Sequence, residues 1–348
     1  MSTYALVSDL RLVIEGYELA RLERAVSSDF TRVTTHVRLR GGGEEGIGED
    51  VTYGDDEHDR LQASERHPLE GEWTLASLSA HLDALELFPE PPGMSAFQDY
   101  RRWAFESAAL DLALSQAGKS LAEVVGRDAR PVRFVVSMRL GERSSLEPLR
   151  QILDAFPDTR FKLDPVVDWT PGLVEQLAGL GVVDVLDLKG QYKDTPVDNP
   201  ADPRLYRLVA EAFPAAWIED PGLTDETDPV LEPHRDRITW DAPIHSVADV
   251  EALPFPPKTL NIKPSRFGSV ERLFETYDYC SDRGIALYGG GQFELGVGRG
   301  HIQYLASLFH PDTSNDVAPA GYNFPPPDPG LPTSPLEPAA APAGFRWG

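Results

Sequence analysis

Five residues spread along the middle of the chain have the types needed for one piece of chemistry: Lys162, Asp187, Glu219, Asp241 and Lys263. Each lies at the end of a short apolar run: Arg160-Phe-Lys-Leu-Asp, Val182-Val-Asp-Val-Leu-Asp-Leu, Ala215-Ala-Trp-Ile-Glu, Ile238-Thr-Trp-Asp and Thr259-Leu-Asn-Ile-Lys. Three carboxylates ordered between two lysines suit an oxygen-ligated divalent cation with flanking bases. Such a set would remove a proton next to a carboxylate and stabilise the enediolate that forms. A lysine beside the cation has its pKa lowered, so one could serve as a neutral base near neutral pH and the other as conjugate acid. Singly, each residue has a plainer reading, a carboxylate capping a helix or a lysine on a loop. The order and spacing of the set carry the argument.

The elements that must position these residues follow from the hydrophobic rhythm. From about residue 131 short apolar runs alternate with amphipathic helical stretches, and each interval between the five residues is long enough for a crossover helix and return. With Val132-Arg-Phe-Val-Val-Ser-Met before them and Ile285-Ala-Leu-Tyr after, seven candidate strands result. This many βα units favour a closed (β/α) barrel, in which residues at the carboxyl ends of strands face the mouth. Residues 4–16 and 30–40 instead alternate apolar and polar positions, as antiparallel strands do, and Gly46-Ile-Gly-Glu-Asp-Val-Thr reads as the beginning of a third. Residues 75–88 and 98–117 have helical spacing. The expected organisation is an α+β capping domain over 1–128, a barrel over 129–310, and a Pro-rich segment over 311–348 that packs back on the capping domain. Trp217 and Trp240 read as core, and His245 as a loop or cap residue.

Composition narrows the function. The 348 residues include 41% hydrophobic and 25% charged side chains, an ordinary globular balance with room for a large core. The net charge of −24 repels phosphate backbones and anionic membranes, so neither nucleic acid nor a membrane is an expected partner. Cys280 stands alone, which excludes an internal disulfide framework and a thiolate-rich metal site. With no leader-like start and no long apolar run, a cytoplasmic protein is expected.

At these residues the chain resembles the enolase superfamily, in its muconate-lactonizing-enzyme-like branch. Arg160-Phe-Lys162 is similar to that branch's Lys-x-Lys on strand two, Ile218-Glu219-Asp-Pro to its strand-four metal motif, and Asn261-Ile-Lys263-Pro-Ser-Arg266-Phe-Gly268 to its strand-six segment. Gly289-Gly-Gly-Gln-Phe-Glu294-Leu-Gly-Val-Gly-Arg299-Gly-His resembles the strand-seven segment of o-succinylbenzoate synthases and N-acylamino acid racemases. The resemblance implies an enolase-type modified TIM barrel with an N-terminal α+β capping domain. It implies Mg²⁺ or Mn²⁺ on Asp187, Glu219 and Asp241, catalysis by Lys162 and Lys263, and substrate contacts from Lys189, Arg266 and Glu294. The implied reaction is proton abstraction from a small carboxylate, leading to dehydration or racemisation. Alternatives are a muconate-type cycloisomerase and a diverged, non-catalytic ligand-binding barrel. Family members commonly associate, which leaves room for a homo-oligomer, and the loop near Leu22 to Phe30 would close over the substrate.

Two departures stand out. Strand three usually reads Asp-x-Asn in that branch, and here Asp187-Leu-Lys189 places an ammonium on the same face as the ligand. Strand five usually follows its ligand with glutamate, and here Asp241 is followed by Ala242. A cation so close to a metal opposes it unless a carboxylate pairs with it.

Overall fold

The computed structural model describes residues 2–347 apart from 28–29, 142, 194, 196, 324–325 and 340–341. Three long antiparallel strands, Gly16–Ser27, Phe30–Gly41 and Glu44–Asp50, form the first sheet. The helix Ala96–Gln116 lies directly on it. Gly46 and Gly48, two residues apart on one face, make that contact possible. A Cβ at Gly48 would sit 1.9 Å from the Ala104 carbonyl oxygen, and one at Gly46 2.2 Å from that of Ala108. The strand and the Ala-rich helix face therefore meet backbone to backbone, closer than any larger residue allows.

The first strand expected from the sequence takes a different form. Residues Tyr4–Leu6 make a short 3₁₀ turn, Arg11–Ile14 pairs with Gly71–Thr74, and Gly16–Ser27 is a separate strand. Leu6 is exposed beside the buried Val7, so the segment buries one side of a turn rather than alternate positions of a strand. Of the loop expected near Leu22 to Phe30, residues up to 27 belong to the paired strand, and 28 and 29 lie outside the described residues.

Seven short parallel strands follow: Val136–Met138, Phe161–Leu163, Val183–Asp187, Trp217–Glu219, Ile238–Thr239, Thr259–Ile262 and Ala286–Gly289. The first five form one ladder and the last two another. Backbone hydrogen bonds join them, Asn261 N–H donating to the Trp240 carbonyl at 3.0 Å. The eighth position belongs to residues 315–317. Asp316 N–H donates to the Gly289 carbonyl at 2.7 Å and Val135 N–H to that of Asn315 at 2.8 Å, closing the barrel between its seventh and first strands. This stave is too short and too polar to show in a hydrophobic pattern. The Asn315 side chain holds it, accepting from Gly289 N–H at 2.6 Å and bonding His310 Nδ1 at 2.7 Å.

The C-terminal segment ties the two regions together. Leu336 exchanges both backbone hydrogen bonds with Val132 below the first barrel strand. Phe345, fully buried, packs edge-on to Trp103 and stacks on His301, and Arg346 pairs with Asp111 of the long helix at 3.1 Å. Among the described residues no helix is long and apolar enough to cross a membrane. Trp240 is buried as expected, whereas Trp217 is only half-buried.

Two outcomes follow from this packing. Phe345→Ala empties a site between helix, barrel and tail and is expected to cost about 4 kcal/mol, read as a lower urea midpoint. His301 and His310 are buried, and burial pushes both imidazoles down to about 4. Between that value and the unfolded one only the unfolded chain binds the proton. Their contribution is therefore complete above about pH 6.5 and is lost as pH falls toward 4, by up to about 3 kcal/mol each. Urea unfolding across that range is expected to lose part of its pH slope in His310→Gln.

Candidate active site

The five residues singled out from the sequence converge at the carboxyl end of the barrel. Lys162 lies within the second strand, Asp187 and Glu219 are the last residues of the third and fourth, Asp241 stands two positions past the end of the fifth, and Lys263 directly follows the sixth. Asp187 and Glu219 are register partners on adjacent strands, so their side chains point the same way at neighbouring positions. Asp187, Glu219 and Asp241 are fully buried, with Lys162 at 1% exposure and Lys263 at 6%. Buried charge at this density has to be paired.

The pairing is specific. The Lys162 ammonium donates to Glu219 Oε1, stands 3.2 Å from Asp187 and 3.6 Å from Asp316 of the eighth stave. Glu219 also accepts from the Tyr288 hydroxyl and, at 3.3 and 3.4 Å, from the Asn261 amide. Lys189 folds back onto Asp187, pairing through its ammonium and donating its own N–H to Asp187 Oδ1 at 3.2 Å. Asp241 takes Lys263 at 2.7 Å, Arg266 Nε at 3.1 Å and the Tyr192 hydroxyl at 2.9 Å. Arg266 in turn donates to Tyr192 at 3.0 Å and to the Ala242 carbonyl at 3.2 Å.

Asp220 is the member that the sequence reading left out. Period-two alternation turns the residue after Glu219 away from the mouth, but Asp220 has φ +48°, a left-handed value uncommon outside glycine. Its carboxylate accepts from Asp241 N–H at 2.8 Å and Ala242 N–H at 2.9 Å, so it fixes the backbone that carries Asp241. Asp187, Glu219 and Asp220 present oxygens within 4.8 Å of one another, close enough to hold a metal ion, whereas Asp241 lies outside that group. The Asp-Pro after Glu219 was the available signal. Tyr192 and Asp316 were also missed: both sit in polar loop sequence without periodicity.

The protonation pattern reflects unbalanced charge. Burial, reinforced by Asp187 and Asp241, pushes Glu219 up to about 8, against the pull of Lys162. Burial and the Asp241 and Asp187 charges lift Asp220 to about 7. Burial pushes Asp187 and Asp241 up as well but is outweighed by Lys189 and Lys162 on the first and by Arg266 and Lys263 on the second. Both carboxyls are held well below the usual range. Burial alone would also lower Lys162, yet Glu219 and Asp187 hold its ammonium far above the ordinary lysine value. Six carboxylates, with Asp164 and Asp316 included, face five cations here, Arg139 on Asp164 among them. More buried acids than cations, and an all-oxygen donor set, fit a divalent cation such as Mg²⁺ or Mn²⁺.

The remaining predicted residues have other surroundings. Arg266 is buried and used by Asp241, with His245 Nδ1 against its carbonyl oxygen at 2.9 Å. Glu294 stands in the segment after strand seven, accepting from Gln292 N–H at 2.6 Å with Arg299 at 3.2 Å. The capping domain grips that segment. Buried Arg32 donates to the carbonyls of Gln292 at 2.9 Å and Phe293 at 3.2 Å, and Glu49 accepts from the N–H groups of Leu295 and Gly298 at 2.7 and 2.8 Å. Gly290 lies so close to the site that a Cβ would fall 2.9 Å from Lys263 Cε. The Gly289-Gly-Gly run therefore permits close approach to the lysine.

Two family models together span most of the chain. That described as the domain of unknown function (DUF8230) C-terminal domain matches residues 128–324, and its N-terminal counterpart matches 5–124. An o-succinylbenzoate synthase of Geobacillus kaustophilus is 25% identical over 63% of this chain and 59% of its own length. An N-succinylamino acid racemase of Thermus thermophilus is 24% identical over 83% of this chain and 79% of its own. The chain thus spans about three fifths of the length of the synthases it matches. A muconate lactonizing enzyme from Pseudomonas fluorescens, solved with muconolactone, superposes with TM-score 0.65 at 19% identity over 88% of both chains. A dipeptide epimerase from Methylococcus capsulatus, solved with a Mg ion, gives 0.65 at 20% identity over 89% and 93%. The fold is that of the enolase superfamily in its muconate-lactonizing form, a barrel with an N-terminal capping domain, as the sequence motifs implied.

Removing one cation exposes the cost of this arrangement. Arg266→Met leaves Asp241 with Lys263 and Tyr192 as its side-chain partners. A loss of about 3 kcal/mol in urea unfolding is expected, with most of it returned by the additional change Asp241→Asn.

Proposed function

We propose that this chain, which belongs to the family described as DUF8230, is an enolase-superfamily enzyme that removes and returns the proton next to a carboxylate. The observation that carries this reading is the placement of Lys162 and Lys263 on the second and sixth strands of an eight-stave barrel, with Asp187, Glu219 and Asp241 on the strands between them. Strands two and six lie across the barrel from one another, so the two Nζ atoms address a substrate from opposite faces. One lysine takes the α-proton at Nζ and the other delivers or withholds one. Delivery on the opposite face inverts the centre, and loss of a β-substituent completes a dehydration.

Asp187 and Glu219 would hold Mg²⁺ or Mn²⁺ together with Asp241, the third ligand that the family resemblance implies. Asp241 stands outside their 4.8 Å group and would have to give up Lys263 or Arg266 to reach the ion. Asp220, inside that group, sets the position of Asp241. Such an ion supplies the charge that offsets a developing enediolate. The chain's own residues do the rest. Burial of both lysines excludes water from the reacting centre, and Tyr288 and Asn261 fix the Glu219 carboxylate. Lys162 needs part of the surrounding negative charge taken up before it can give up its proton and serve as base.

The substrate class is a small carboxylate with an acylated or apolar distal part. N-succinylamino acids and the precursor of o-succinylbenzoate are the first compounds to try, after the relatives' names. A second reading, a binding barrel without turnover, has one observation in its favour: Arg266, Lys263 and Tyr192 occupy both oxygens of Asp241.

The test is α-proton exchange in deuterated buffer with Mg²⁺, followed by NMR on both enantiomers of a panel of N-succinylamino acids. Exchange is expected in wild type, with a loss of about 10³-fold in Lys162→Ala for one enantiomer and in Lys263→Ala for the other. If wild type exchanges nothing that the double variant does not, the enzymatic reading is wrong. Tight calorimetric binding of the same compounds without exchange would then select the binding barrel.

A further inference from the structure

The residue that the fold's chemistry does not absorb is Lys189. Its backbone has φ +53°, a left-handed value uncommon in a lysine, and this curl turns the side chain back onto the residue two positions before it. The ammonium sits on Asp187 Oδ2, where Lys162 also stands at 3.2 Å, while Oδ1 accepts the Lys189 N–H. Both oxygens of a carboxylate that would hold a divalent cation are therefore engaged from within the chain.

The same ammonium has a second acceptor in reach. Asp164, two residues beyond Lys162, has its Oδ2 held by Arg139 at 3.2 Å. Its Oδ1 is buried with no hydrogen-bond partner and stands 3.9 Å from Lys189 Nζ. An acceptor left unsatisfied at that distance is costly, and a small swing of the ammonium would satisfy it. Lys189 also has room to swing, with 15% of its side chain exposed against 1% for Lys162. The face of the Tyr192 ring, 5.1 Å from Nζ, flanks the movement.

We propose that Lys189 is a counter-ion with two seats: on Asp187 while the site lacks a metal, and on Asp164 once a divalent cation takes Asp187. This rests on the metal-dependent reading above. In the first seat Lys189 neutralises a ligand that would otherwise be buried with one partner fewer. In the second it leaves the ligand free and relieves the orphaned oxygen of Asp164. Metal affinity is thereby set by the difference between the two seats rather than by the carboxylates alone.

The experiment is calorimetric titration of the metal-stripped, full-length protein with Mg²⁺ and separately with Mn²⁺. The variants are Lys189→Asn, Lys189→Arg, Asp164→Asn and the double variant Lys189→Asn with Asp164→Asn. Asparagine tolerates the left-handed backbone and carries no charge, and Lys189→Gln replaces it should it fail to fold. Lys189→Asn is expected to bind Mg²⁺ at least about tenfold more tightly than wild type, and Lys189→Arg no more tightly. Asp164→Asn removes the second seat and is expected to weaken binding by about tenfold in the wild-type background but by less than about twofold in Lys189→Asn.

The proposal is overturned if wild type binds Mg²⁺ and Lys189→Asn binds no better, or if Asp164→Asn has the same effect in both backgrounds. Either result leaves the metal reading standing. If neither wild type nor Lys189→Asn binds either ion at 10 mM, roughly ten-thousandfold above a micromolar site, the metal reading fails and takes the proposal with it.

Discussion

Everything at the carboxyl end of this barrel depends on the need to pair buried carboxylates. Asp187, Glu219, Asp220 and Asp241 are each fully buried, and an isolated ionised carboxylate in such surroundings would simply protonate. Four cations hold them: Lys162, Lys189, Lys263 and Arg266, with Tyr192, Tyr288 and Asn261 filling remaining lone pairs. Even so the balance is incomplete. Asp187 and Asp241, with two cations each, stay ionised, while Glu219, sharing one lysine with Asp187, is lifted to about 8. The site is thus divided into satisfied and unsatisfied acids by which of them has its own partners.

That division depends on parts of the fold far apart in sequence. Asp316 reaches Lys162 only because residues 315–317 close the barrel, and Asn315 and His310 hold that stave in place. Lys263 is approached by Gly290 because Arg32 and Glu49 of the capping domain fix the backbone after strand seven. Asp241 is aimed by Asp220 through two backbone N–H groups. Most of the residues that do the positioning are themselves buried and polar, and they come from the capping domain and the segment that closes the barrel as well as from the barrel strands.

The strand ends were legible in the sequence because each charged residue terminates an apolar run, and a run that stops at a charge is visible without an alignment. Lys162, Asp187, Glu219, Asp241 and Lys263 were found that way, and the motifs around them led to the fold. What stayed hidden had no periodic signature. Asp220 is turned by a left-handed backbone that alternation cannot foresee, Tyr192 lies in a loop, and the eighth stave is three residues of which two, Asn315 and Asp316, are polar. Glu294 and Arg266 were read as substrate contacts from type and place in a motif. The structure gives Arg266 to Asp241 and places Glu294 beside Arg299 at the contact with the capping domain. Partner choice among buried charges is a three-dimensional property, and spacing does not encode it.

Lys189 shows how one substitution in such a set changes the meaning of the others. A neutral side chain there would leave Asp187 with Lys162 alone, and the end of the barrel would carry one more uncompensated negative charge. With the ammonium present the excess is smaller, and a divalent cation has to displace a partner already in place. The same residue therefore moves the site toward electroneutrality and makes it harder to enter. Asp164 decides between these effects, since its unsatisfied oxygen gives the displaced ammonium a destination that solvent would otherwise have to provide. In a chain with a net charge of −24, acidic residues are abundant everywhere. An acid that is buried, half-satisfied and within a short swing of a movable cation is a far rarer thing, and its energetic role follows from that geometry rather than from composition.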